Sequence, residues 1–188
     1  MSDYDRTHWD ERYASAVPDM TPSPLVVAFA PPPAGRQQAL DVACGAGRNT
    51  LYLASLGYTV EAVDISAVAL DVLTREGQAR GLADRVRALA MDLDAWRPSL
   101  GAYALVIQIA FFDPQSLPAI LNAVAPGGML ILEAFNPRRL ETRPTFNPSH
   151  LIGPGVLLQA LVAWQIVHYD EGAGERGDRT QVVARKLS

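Results

Sequence analysis

Apolar and polar positions alternate differently on either side of residue 35. From Ala39 onward, short apolar runs rich in Val, Leu and Ala end in turn residues and alternate with amphipathic segments of helix length. This spacing predicts strands over 39–44, 59–64, 86–90, 103–109 and 128–135, with helices over 48–56, 66–80 and 116–124. Ser66 is placed to cap the second of these helices and Gly81 to end it. Pro126-Gly127-Gly128 predicts a sharp stop before the fifth strand. Strands alternating with helices imply a parallel sheet.

The last forty residues break that rhythm. Pro148 to Leu161 has room for one short helix, and two strands follow at Ala163–Tyr169 and Arg179–Leu187. The nine residues Asp170 to Asp178 are too few for a crossover helix, so these two strands must pair antiparallel as a long-looped hairpin. Before residue 35 the chain carries an aromatic, charged segment (Tyr4, His8, Trp9, Tyr13), two prolines between Thr21 and Leu25, and a Pro31-Pro32-Pro33-Ala34-Gly35 spacer. This is read as an N-terminal arm over 1–35, leading into one domain over 36–188.

Composition narrows the class. At 188 residues, with 49% hydrophobic and 19% charged, the chain is long and apolar enough to bury one core. The net charge of −4, with sixteen basic residues dispersed, argues against a nucleic-acid partner. A polar N-terminus and the lack of a membrane-length apolar run imply a cytoplasmic protein with no membrane partner. The single cysteine, Cys44, excludes an intrachain disulfide and a cysteine-based metal cluster; no metal is expected.

The most informative stretch is Ala39 to Thr50, where a strand runs into Gly45-Ala46-Gly47 and opens a helix. Glycine permits the tight turn and close approach of a ligand to the backbone, and a helix start favours an anionic group such as a carboxylate. A dinucleotide fingerprint would want glycine at position 50, where Thr50 stands, and Asp41 would repel a pyrophosphate. The same acid attracts a ligand carrying ammonium and sulfonium cations. The second strand ends at Asp64, 17 residues beyond Gly47, where a carboxylate can accept both ribose hydroxyls while Ile65 lies against adenine. The third ends at Asp92, placed to accept from the adenine amino group. Three acids at three successive strand ends form one constellation.

These segments resemble the class I S-adenosylmethionine-dependent methyltransferases, and among them the tellurite-resistance and thiopurine-methyltransferase-like group. The resemblance rests on HWDERY at 8–13, LDVACGAGRNTLYLASLGYTVEAVDIS at 40–66, AMDLDAW at 90–96, APGGMLILEAFNP at 125–137, NPSHLIGPGVL at 147–157 and WQIVHYDEG at 164–172. It implies an α/β, Rossmann-like doubly wound sheet of seven strands, order 3-2-1-4-5-7-6, with strand 7 antiparallel. It implies S-adenosylmethionine as cofactor, becoming S-adenosylhomocysteine, with Asp41, Cys44, Gly45 and Gly47 cradling its methionine part and Arg48 near the carboxylate. Asp64 would hold the ribose, and Asp92 with Leu93 would read adenine. Trp9, Arg12 and Tyr13 would fold over the cofactor, although Trp9 and Tyr13, four apart, also suit plain helix packing.

The expected function is methyl transfer to a small molecule, with a soft thiol or chalcogen acceptor as one candidate. The region after the fourth strand, Gln108 to Pro114, looks shorter than in relatives and lacks the Asn/Asp-Pro-Pro-Tyr pattern of enzymes that methylate nucleobase or glutamine nitrogens. Acceptor-side candidates are His8, Glu133, Asn136, Arg138, Arg143 and His150, with Arg138 and Arg143 suited as a pair to an anion. His168, within an apolar strand, is read as structural. Cys44 is rejected as a nucleophile, because a small residue is needed there and no histidine partner is evident. A nicotinamide-dependent oxidoreductase and a non-catalytic S-adenosylmethionine-binding domain are the competing functions.

Overall fold

The computed structural model describes residues 3–173 and 177–187. Seven strands, β1 (Gln38–Val42), β2 (Thr59–Asp64), β3 (Val86–Ala90), β4 (Tyr103–Ile109), β5 (Val124–Phe135), β6 (Trp164–Asp170) and β7 (Arg179–Lys186), form one sheet of order β3-β2-β1-β4-β5-β7-β6. This is the expected strand order. β7 runs antiparallel to both β5 and β6, as the short connection before it required. Residues 174–176 of that connection lie outside the described residues.

Contacts divide the chain into two compact units, up to Pro98 and from Ser99. In the first unit β2 pairs in parallel with β1 and β3, in register from Gln38 opposite Thr59 and from Val60 opposite Val86. α3 (Arg48–Leu56) and α4 (Ala67–Ala79) match the predicted helices to within a residue. The Ser66 hydroxyl caps α4 by accepting from the Ala69 N–H at 3.1 Å. Gly81 follows the C-cap at φ +67°, and the Leu82 N–H closes on the Gly77 carbonyl, so the expected helix stop is present. Cys44, Leu51, Ala62, Leu70 and Leu73 form a core cluster.

The segment read as an arm contains a 13-residue helix, α1 (Asp3–Ser15), with no buried residue, and a short one, α2 (Pro24–Phe29), which buries Leu25 and Val26. Between them the chain is fastened to α3. The Asn49 side chain accepts from the Ser23 N–H at 2.8 Å, and the Arg48 guanidinium donates to the Thr21 carbonyl at 3.2 Å.

In the second unit β4 pairs in parallel with β5. Leu105, Val106, Ile107, Leu130, Ile131, Leu132, Val182, Val183 and Ala184 are all fully buried. Such unbroken apolar runs are what strands covered on both faces require. α5 (Leu117–Ala123) lies within its predicted range. The fifth strand differs from expectation. It begins at Val124, which pairs with Tyr103, and resumes with Met129 opposite Leu105. Pro126-Gly127-Gly128, with Gly127 at φ +73°, is thus an irregularity inside the strand and not a turn before it. After β5 come α6 (Arg139–Thr142), a 3₁₀ turn (Pro148–His150) and α7 (Val156–Ala160).

Candidate cofactor site

The turn at the end of β1 leaves no room for a side chain at either of its two glycines. Gly45 and Gly47 both take positive φ, +55° and +81°. A Cβ on Gly45 would fall 2.3 Å from the Tyr13 hydroxyl, and one on Gly47 would fall 2.2 Å from Leu73 Cδ1. Gly47→Ala therefore combines a left-handed backbone with a forced shift in the core, and is expected to cost about 2 kcal/mol in denaturant unfolding. Gly47 is also the N-cap of α3 and supplies no side-chain acceptor, so the helix-opening amides are not capped from that residue. Ala43, just before the turn, is held at φ +55° despite its methyl. Ala43→Gly should raise stability by about 1 kcal/mol, seen as a higher urea midpoint.

The acids sit as the sequence placed them. Asp41 is 1% exposed, and its Oδ2 accepts from the Thr50 hydroxyl at 2.6 Å. Burial pushes its carboxyl up to about 7, with the Thr50 hydrogen bond opposing and the charge of Asp64 adding to the rise. Asp64 is buried; its Oδ2 accepts from the Gly45 N–H at 2.8 Å and its Oδ1 from the Ser66 N–H at 2.9 Å. Burial raises its pKa and these backbone hydrogen bonds pull it down. A carboxylate offers about four lone-pair sites, so with backbone hydrogen bonds from Gly45, Ile65 and Ser66 that of Asp64 is largely but not fully used. Met91 N–H donates to the Asp64 carbonyl at 2.9 Å, which brings Asp92 beside the end of β2. Asp92 Oδ1 accepts from the Asp94 N–H, Leu93 is 3% exposed and Ile65 is 4% exposed.

α1 lies over this turn. The Trp9 and Tyr13 rings are 6.2 Å apart, and the Arg12 guanidinium lies 5.1 Å from the Trp9 ring centroid. Helix packing and contact with the glycine turn are therefore both present, through Trp9 and Tyr13 respectively. Burial and then the Asp64 charge push the Tyr13 phenol up to about 12, so it stays a hydroxyl. Burial likewise pushes the Cys44 thiol up, which leaves it an inert filler of the core. Arg48, expected near the methionine carboxylate, donates from Nη1 to the Thr21 carbonyl and keeps further N–H donors.

Two residues that sequence reasoning missed complete the arrangement. Asp10 Oδ1 accepts from the Ser66 hydroxyl at 2.6 Å and from the Val68 N–H at 3.3 Å. Thr50, noticed only as a departure from the glycine pattern, is the partner of Asp41. Asp10 stands three residues before Tyr13 and so shares its helix face, a signal that acquires meaning only once α1 is set against α4.

The acceptor candidates of the second unit are mostly committed elsewhere. Glu133 is 1% exposed and accepts from Arg179 at 2.9 Å and Gln181 at 2.6 Å. Asn136 donates to the Gly177 carbonyl, and Arg138 to the Gly172 carbonyl at 3.0 Å. Arg138 therefore does not stand free beside Arg143, which is exposed at the end of α6. His150 Nδ1 is 2.9 Å from the Phe112 carbonyl, and His168 Nε2 is 3.2 Å from Gln181 Oε1, a structural contact as expected. His8 is exposed on α1.

The pieces fit a ligand with a cationic end and vicinal hydroxyls: an acid on β1, a second on β2 with acceptor capacity left, and a side-chain-free turn between them. Residues 39–128 match the model of a family described as a methyltransferase domain. The chain is 31% identical to an uncharacterised methyltransferase of Synechocystis over 73% of its own length and 63% of that protein's. By these two matches the chain is similar to methyltransferases. The chain spans 25%, 63% and 47% of the length of three curated relatives it matches. Its fold is also that of TehB from Haemophilus influenzae, at a TM-score of 0.64 and 20% identity over 96% of this chain and 66% of that one. A protein solved in work on the conversion of a disulfide bond into a thioacetal group during echinomycin biosynthesis is likewise similar. It gives a TM-score of 0.70 and 21% identity over 97% of this chain and 93% of that one. A geranyl diphosphate methyltransferase solved in complex with S-adenosylmethionine has a similar fold, at a TM-score of 0.69 and 14% identity over 86% of this chain and 83% of that one.

Proposed function

We propose that the chain transfers the methyl group of S-adenosylmethionine to a small molecule whose acceptor atom is a thiol or another soft chalcogen. The observation that carries the cofactor half is the pair of buried acids, Asp41 and Asp64, flanking a turn in which neither Gly45 nor Gly47 has room for a side chain. When bound, the cofactor supplies a methyl group on a sulfonium, open to in-line displacement. Asp41, with Cys44, Gly45, Gly47 and Arg48, holds the methionine end; Asp64 takes the ribose, and Asp92 with Ile65 and Leu93 the adenine. Residues 1–35 serve as the arm over that site, with Trp9, Arg12 and Tyr13 excluding water.

The acceptor half rests on chemistry. In-line transfer at carbon needs positioning above all, and positioning is worth roughly 7–11 kcal/mol when near-attack geometry is reached. A soft acceptor is readily anionic near neutral pH and asks for little base. That suits a chain in which Glu133, Asn136, Arg138 and His150 already hold other partners. The similar protein from echinomycin biosynthesis is associated with sulfur chemistry of this class.

Calorimetric titration of S-adenosylhomocysteine and, separately, of NADH tests the cofactor assignment, and transfer from S-adenosylmethionine to thiols, chalcogen oxyanions and amines tests the acceptor. Micromolar binding of S-adenosylhomocysteine and turnover confined to soft acceptors are expected. Tighter binding of NADH overturns the assignment, and cofactor binding without turnover on any acceptor favours a binding domain.

A further inference from the structure

α1 presents a contradiction. It has no buried residue, yet Tyr13 sits with its hydroxyl against Gly45 and its phenol withdrawn from water. A helix whose apolar side chains, Trp9 and Tyr13, are only half-buried gains modestly from the hydrophobic effect, so polar contacts carry more of its placement. Two polar contacts joining α1 to the start of α4 meet on one carboxylate. Asp10 Oδ1 accepts from both the Ser66 hydroxyl, at 2.6 Å, and the Val68 N–H, at 3.3 Å, at the start of α4. An acid there also meets the positive end of the α4 dipole.

Ser66 does not end at Asp10. Its own N–H donates to Asp64 Oδ1 at 2.9 Å, while Asp64 Oδ2 accepts from Gly45 N–H at 2.8 Å. A continuous chain of hydrogen bonds thus runs from α1 through Ser66 and Asp64 to the turn that Tyr13 covers. We propose that Asp10 is a positioning residue that latches α1 over the glycine turn, and that this latch is coupled through Ser66 to Asp64. The proposal rests on Asp64 being the ribose acid of the proposed function. Coupling of this kind is reciprocal: a cofactor that fixes Asp64 tightens the latch by the same factor by which the latch tightens the cofactor.

The test uses the full chain and two readouts, calorimetric binding of S-adenosylhomocysteine and hydrogen exchange of the α1 amides with and without it. In the unaltered protein the ligand slows exchange across residues 4–15. Asp10→Ala is expected to speed α1 exchange in the free protein at least tenfold. It should weaken ligand binding about tenfold and abolish ligand-induced protection of α1, with the thermal midpoint of the free protein moving by no more than about 2 °C. Asp10→Asn keeps an acceptor oxygen in the same place and should restore binding to within about threefold. Ser66→Ala removes the same hydrogen bond from the α4 side and is used in place of Asp10→Ala if that variant does not fold. Unchanged α1 exchange in free Asp10→Ala overturns the latch. Protection of α1 by ligand in that variant, equal to that of the unaltered protein, overturns the coupling. Failure of the unaltered protein to bind S-adenosylhomocysteine sinks the cofactor assignment instead, and the exchange of the free variants still decides the latch.

Discussion

Asp64→Ala is expected to weaken S-adenosylhomocysteine binding by a hundredfold or more. In the proposed site the lost side chain is a carboxylate accepting two hydroxyls. Hydrogen bonds to a charged group are each worth about 1.5–3 kcal/mol, and two of them correspond to a factor of at least about a hundred. The same substitution strips the Gly45 and Ser66 amides of their acceptor, so a loss of about 2 kcal/mol in unfolding free energy should accompany it. Asp64→Asn separates the two effects. It retains one carbonyl oxygen for the backbone and should recover part of the stability, while affinity stays low because the amide nitrogen cannot accept. An affinity in Asp64→Ala within tenfold of the unaltered protein would remove Asp64 from the site.

The second large effect concerns pH. Burial lifts Asp41 to about 7 in the folded chain, against 3.8 as its ordinary value. A carboxyl whose pKa rises on folding binds its proton more tightly in the folded state. Its contribution to stability is complete below about 4 and is lost as pH climbs through 7. Asp41→Asn cannot ionise and lacks that loss. The stability of the variant relative to the unaltered protein should therefore grow between pH 4 and pH 7 and level off above, by as much as about 4 kcal/mol, since each tenfold step in proton affinity is about 1.4 kcal/mol. Urea midpoints at pH 5 and pH 8 measure it; a constant difference between the two would show that Asp41 titrates normally. In the proposed site, affinity for the cationic S-adenosylmethionine rises with pH through the same window, and the asparagine variant is flat.

How much of this was visible in the sequence depended on how each feature is encoded. β1, α3 and β2 were legible because Gly45-Ala46-Gly47 punctuates a strand-to-helix junction between short apolar runs. Asp64 was legible because a strand end fixes which side chains reach the sheet's carboxyl edge. The start of β5 was misplaced because Pro126-Gly127-Gly128 is a strong local stop signal, and only pairing with Tyr103 shows Val124 to be strand. α1 escaped periodicity because no apolar stripe fastens it; Asp10 and Tyr13 do, singly. The partners of Arg48, Arg138 and Glu133 lie 27 to 48 residues away, so no local pattern announces that they are taken.

The pairing of β5 with β7 sets the order in which the second unit can complete itself. β4 meets β5 across roughly 25 residues of chain, whereas β5 waits roughly 50 residues for β7. During synthesis, the edge carrying Leu130, Ile131 and Leu132 stands bare until the final strand arrives. The nascent chain passes through its most aggregation-prone interval at that point, and holding chaperones would have their longest opportunity to engage it there.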